Sequence, residues 1–173
     1  MSKEIFLIDS NSLITPHLAY YPFDFAPGFW TQMEKHIKAG SIKILDMVKN
    51  EICRGKETDN LKVWMEELEV ESIDHRENEI LEKYAQIVQY LSDSSLYKPS
   101  ALAEWSRESV ADPWLIAVAA TYDYTLITFE KASGGLSKQN PNKFAKIPDV
   151  ATAFGVRTQP LYYLMRSLGF RLS

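Results

Sequence analysis

Four acids stand at the ends of apolar segments or inside a short amphipathic one, where a carboxylate is placed for chemistry. Asp9 closes the apolar run Ile5 to Ile8, and Glu130 lies two residues beyond Thr128, which ends the run Tyr124 to Thr128. Asp112 immediately precedes Pro113 and a long apolar stretch, and Glu51 falls within the segment Asp46 to Arg54. If the two short runs are strands of one parallel sheet, Asp9 and Glu130 point into the same crevice. Carboxylates gathered there repel one another unless something cationic neutralises them, and hard divalent cations are the usual partners of such oxygen clusters. Each acid also has a plainer reading. Asp112 followed by proline is a common helix start, with the aspartate at the N-cap and proline at N1. Asp9 suits an Asx turn, Glu51 a solvated helix face and Glu130 a loop. Capping and metal binding are compatible, because one carboxylate oxygen can do each.

Other catalytic signatures are absent from the sequence. It has no glycine-rich phosphate loop, no Gly-x-Gly-x-x-Gly turn, no His-Glu-x-x-His and no Gly-x-Ser-x-Gly elbow. His17, His36 and His75 are isolated, each without a second histidine or cysteine at a ligand spacing. The single Cys53 excludes an intrachain disulfide and a cysteine-rich zinc site.

The elements that must position the acids are legible from periodicity. The two short runs, rich in β-formers and bounded by turn residues, read as buried strands. Ile80, Leu81, Tyr84, Ile87, Val88 and Leu91 recur at helical spacing in a helix from Arg76 to Leu91. Leu61, Trp64, Met65 and Leu68 do the same in Asn60 to Val70, and further helices span Asp46 to about Arg54 and Pro113 to Tyr122. Leu161, Leu164, Met165 and Leu168 give a last helix, ended by Gly169. Short buried strands separated by helices, without polar–apolar alternation, predict an α/β chain with a parallel sheet covered on both faces. Ligands of such sheets bind beyond the carboxyl ends of the strands.

With 173 residues, and neither repeat nor low-complexity linker, the chain reads as one domain, 1–173. Its longest apolar run, Trp114 to Ala120, is far short of the ~18 residues that span a bilayer. The N-terminal apolar run is four residues long and ends in an acid, too short for a signal peptide, so the expected location is the cytoplasm and no membrane partner is expected. The net charge of −4 lacks the basic excess usual for a nucleic-acid binder. That total is a sum of unlike parts. From Glu57 to Glu82 ten acids face two bases, a balance of −8, so the rest of the chain carries +4. The acidic flank is expected to lie away from the site.

Four segments resemble, in order, the motifs of PIN-domain nucleases. Phe6 to Ile14, with Asp9 and Ser10, resembles the family's first strand; Val48 to Ile52 its glutamate-bearing helix; Ala111 to Ala119 its aspartate opening an alanine-rich helix; and Leu126 to Glu130 the strand and threonine before its fourth acid. The run Asp112 to Ala117, the Thr-x-Glu ending and the tail Lys146 to Val156 are similar to a bacterial PIN-like subgroup of unknown function that is often placed with toxin-antitoxin systems. Two features depart from the family pattern. The fourth acid is glutamate rather than aspartate, and the insert Pro16 to Phe29 is longer and more aromatic than the usual loop.

The resemblance implies a three-layer α/β/α PIN-like fold with a short parallel central sheet, and a metal-dependent endoribonuclease that is the toxin of a type II toxin-antitoxin pair. Asp9, Glu51, Asp112 and Glu130 would be catalytic, holding Mg²⁺ or Mn²⁺, with Ser10, Asn11 and Thr128 orienting them. A bound ion lowers the pKa of a water ligand and stabilises charge on the phosphate. RNA is the implied substrate and an antitoxin protein the implied partner; a homodimer also accords with the family. Lys131, Lys138, Lys143 and Lys146 form an acid-free stretch after Glu130, suited to phosphate contacts. The aromatic insert suits either base stacking or a small core. The rival reading is a PIN-like nucleic-acid- or protein-binding module with weak or no catalysis.

Overall fold

A computed structural model describes residues 3–172. The described chain forms two compact units, one of residues 3–74, 125–129 and 159–172, the other of residues 75–124 and 130–158. The first holds the sheet. Strand β1 (Phe6–Ile8) pairs in parallel with β2 (Ile42–Lys43) on one side and with β3 (Thr125–Ile127) on the other, and β4 (Thr158–Gln159) completes the order β2-β1-β3-β4. Every residue of β1 and β3 is buried, which is why both read as unbroken apolar blocks. The fold is accordingly α/β, consistent with the three-layer α/β/α arrangement expected.

The connections of the first unit are helical. Helix α1 (Asn11–Thr15) runs into a π-helical turn (Pro16–Tyr20), where the Tyr21 N–H reaches the Pro16 carbonyl, and α2 (Pro27–Lys38) follows. Proline opens α2, where its missing N–H costs nothing. Helices α3 (Asp46–Cys53) and α4 (Asn60–Glu67) lie between β2 and the second unit in sequence. The Asp59 carboxylate caps α4 by accepting from the Leu61 N–H at 3.0 Å.

The second unit contains α5 (Asn78–Asp93), α6 (Pro99–Trp105), α7 (Asp112–Tyr122) and α8 (Ile147–Ala153). Helix α7 buries Leu115 to Ala119 without a break and is apolar all round, as a core helix must be. Tyr84 of α5 stacks on Trp114 of α7 with ring centroids 3.7 Å apart and planes at 8°. Helix α9 (Leu161–Ser167) returns to the first unit. Its end has the expected glycine: Gly169 takes φ +72°, and the Phe170 N–H bonds back to the Met165 carbonyl.

Three expectations change. Leu81, placed on the buried face of α5, is 39% exposed, because that face narrows to Ile80, Ile87 and Leu91. The insert from Pro16 to Phe29 is not a loop; it is helical at both ends. Its aromatics divide: Phe23 stacks on Trp30 at 4.3 Å and Tyr21 on Phe29 at 4.7 Å, forming a small core, while Phe25 is 80% exposed. Finally, α7 begins at Asp112 rather than after it. Ala111 already has helical dihedrals (φ −78°, ψ −21°) and takes the cap position, so Asp112 lies in the first turn instead of capping it. Its charge there still complements the helix dipole. Among the described residues no helix is long and apolar enough to cross a membrane.

Leu7 is fully buried in the middle of the central strand. Leu7→Ala is expected to cost about 3 kcal/mol by lost burial and cavity formation, measured by urea denaturation at equilibrium.

Candidate active site

In the first unit the β1–β3 register pairs Ile8 with Ile127. The next residue of each strand is therefore Asp9 and Thr128, side by side at the carboxyl ends. The backbone continues the pairing, with the Asp9 N–H on the Ile127 carbonyl at 3.0 Å and the Thr128 N–H on the Gln159 carbonyl at 3.1 Å. Sheet order places β1 and β3 at the topological switch: the chain passes from β1 outward to β2, then returns across β1 to β3. That is where open parallel sheets form their ligand crevice.

Asp9 is only 5% exposed, and a buried carboxylate must be compensated by hydrogen bonds or opposite charge. The Thr128 hydroxyl donates to Oδ2 at 3.1 Å, and the Ser10 hydroxyl donates to Oδ1 at 3.4 Å. Ser10 occupies the N-cap position of α1 but makes no capping bond with its side chain, which turns to the carboxylate instead. Ser10 and Thr128 thus each place a hydroxyl on one oxygen of the Asp9 carboxylate. Asn11 is exposed at the start of α1. Ser12 is fully buried and donates to the Ile127 carbonyl at 3.4 Å, tying α1 to the end of β3.

Glu51 is exposed on α3, as the solvated-face reading has it. The same helix begins with Asp46, whose carboxylate accepts from the Met47 N–H at 2.7 Å. Ile73 forms a parallel bridge with Leu45, and the Asp46 N–H bonds to the Ile73 carbonyl. The bridge brings carboxylate oxygens of Asp46 and Asp74 within 4.8 Å of each other. Such a pair offers hard oxygen donors of the kind a divalent cation takes. No sequence signal marks it, because a non-local strand bridge creates it. His75, the next residue, belongs to the second unit, where its ring meets Trp114 edge-on at 4.8 Å.

In the second unit Glu130 is not a plain loop acid. Its Oε2 accepts from the Ile147 N–H, the first of α8, at 2.8 Å. In return Asp149, in the first turn of α8, accepts from the Ser133 N–H at 2.9 Å. The two carboxylates pin both ends of the lysine-bearing segment. Lys131, Lys138, Lys143 and Lys146 are all exposed. Beneath the segment Tyr97 is 6% exposed, and burial, with smaller effects from Tyr90 and Asp149, pushes its hydroxyl well above the ordinary tyrosine range.

A family model described as a domain of unknown function (DUF4411) matches residues 6–172, and the chain belongs to that family. No curated protein and no solved structure matches it.

Because Glu130 acts on α8 through a hydrogen-bond acceptor, Glu130→Ala is expected to cost about 1 kcal/mol, whereas Glu130→Gln, whose amide oxygen still accepts, loses less than half of that. Chemical denaturation of the two variants, side by side, measures the difference.

Proposed function

We propose that this DUF4411 member is a metal-dependent endoribonuclease of PIN-like type, the toxin of a type II toxin-antitoxin pair. One observation carries the reading: a buried aspartate, held by two hydroxyls, stands at the carboxyl end of the central strand, at the switch point of a parallel sheet. The donor set fits Mg²⁺ or Mn²⁺, since carboxylate oxygens are the ligands these ions prefer. Asp9 would be the principal ligand. Glu51, Asp112 and Glu130 are the further oxygen donors that the PIN-like motifs imply. When bound, the ion would supply a nucleophile from water and neutralise charge on the phosphate.

The remaining roles belong to the chain. The Thr128 and Ser10 hydroxyls fix the rotamer of Asp9 by donating one hydrogen bond to each oxygen, so its other lone pairs keep a constant direction. Burial of Asp9 keeps competing water from its carboxylate. Asp112 stands in the first turn of α7, at the positive end of the helix dipole. Lys131, Lys138 and Lys143 would hold the RNA backbone. An antitoxin would act by covering the acids, and the reaction places the protein in the cytoplasm, where its RNA lies.

A second reading has an observation in its favour. Glu130 already spends one oxygen on capping α8, which suits a PIN-like module that binds nucleic acid or protein with weakened catalysis.

Cleavage of a labelled RNA in Mn²⁺ decides between them. Wild type should cut, and Asp9→Asn should lower the rate by more than about 100-fold, beyond the usual effect of an outer-sphere change, while Thr128→Ala lowers it by about 10- to 100-fold. Both hydroxyls can turn from donating to accepting, so Asp9→Asn should keep its melting temperature. A metal-independent cut, or an unaffected Asp9→Asn, overturns the nuclease reading.

A further inference from the structure

We propose that segment 131–146 is a binding surface for single-stranded nucleic acid, with Phe144 as the platform on which an unpaired base stacks. The surface deepens the nuclease reading by naming the form of its substrate, and it rests on that reading for the choice of RNA. Phe144 is 65% exposed and stands between Lys143 and Lys146, with Lys131 and Lys138 earlier in the same segment. A lone exposed aromatic is unremarkable in itself; its surroundings set this one apart.

First, the segment is cationic without internal compensation. No acid occurs between Glu130 and Asp149, and these two carboxylates are engaged with the Ile147 and Ser133 N–H groups. Four exposed ammonium groups therefore face solvent along a stretch with no negative charge of its own. Second, the backbone just before Phe144 is held despite having no regular structure. The Lys98 N–H bonds to the Asn142 carbonyl at 2.8 Å, the Asn142 N–H to the Leu96 carbonyl at 2.9 Å, and the Ser100 hydroxyl to the Lys143 carbonyl at 2.8 Å. A ring presented from a fixed backbone loses little freedom when a ligand meets it.

The ligand chemistry follows from the pairing. Spaced ammonium groups take phosphates, and an exposed aromatic face takes the π-face of a base. A duplex conceals its base faces in the stack and offers Phe144 nothing but backbone. A single strand offers both, which sets the expected preference. An acidic peptide would use the lysines without needing an aromatic face.

The full chain is titrated in EDTA with a fluorescently labelled single-stranded RNA and with the same sequence as a blunt duplex, and binding is read by anisotropy. The single strand should bind more tightly. Phe144→Ala should weaken it about tenfold, the scale of one lost base stack, with little effect on the duplex. Phe144→Trp should restore affinity, and Phe144→Leu, apolar but without a π-face, should not. Lys143→Ala should lower the slope of log affinity against log salt by about 0.7, the value for one phosphate of a single strand. Unchanged affinity in Phe144→Ala, full affinity in Phe144→Leu, or equal loss for duplex and single strand overturns the proposal. The nuclease reading fails separately: RNA that binds with these dependences but is never cut in Mn²⁺ removes catalysis and leaves the surface standing.

Discussion

The parallel pairing of β1 with β3 is the constraint on which the candidate site depends. Only three residue pairs make it, all buried, and it fixes which residues emerge together at the carboxyl end. A slip by one residue would turn each side chain to the opposite face, replacing Thr128 beside Asp9 with an isoleucine or a phenylalanine. The buried carboxylate would then lose one of its hydroxyl donors and stand in an apolar setting that raises its pKa. Register, burial and hydrogen bonding therefore select the same arrangement, which is the consistency that lets so short a sheet specify one structure.

The acids differ in kind. Asp9 is buried and held by side-chain hydroxyls; Glu130 and Asp149 are used by backbone N–H groups; Glu51 is solvated. The formal charge of −4 conceals this division. Its acidic part, residues 57–82, is shared between the two units, and the lysine segment has its flanking carboxylates turned to structural use. The cationic character of the segment is local: four lysines and no acid lie between Glu130 and Asp149, in a chain that is acidic as a whole.

Periodicity made the long elements legible. The unbroken burial of β1, β3 and α7, and the helical spacing of α3, α4, α5 and α9, are local properties that a sequence displays directly. The elements it hid are short or non-local. Strands β2 and β4 have two residues each and exist only through their neighbours, and α6 buries only Ala101 and Trp105, too few for a periodic signal. Helix α2 was obscured by its own aromatics, since Phe29 and Trp30 belong as much to the cluster with Tyr21 and Phe23 as to a helix face. Of the candidate site, position at a strand end marked Asp9, whereas Ser10 and Thr128 beside it came from the PIN-like resemblance. The proximity of Asp46 and Asp74 was not legible, because it depends on the bridge between Leu45 and Ile73. Phe144 was equally hidden: nothing in a sequence distinguishes an exposed phenylalanine from a buried one.

Glutamate rather than aspartate at position 130 has a physical reason in this fold. The Glu130 side chain reaches the first N–H of α8, seventeen positions ahead, and that bond closes the segment carrying the lysines and Phe144. An aspartate would end about 1.5 Å short, the length of one carbon–carbon bond, and the N–H would have to find another acceptor. The extra methylene thus serves the closure of the segment. The departure from the usual acid is thus matched to a local need of the second unit, the satisfaction of the first N–H of α8 across the segment that carries the lysines.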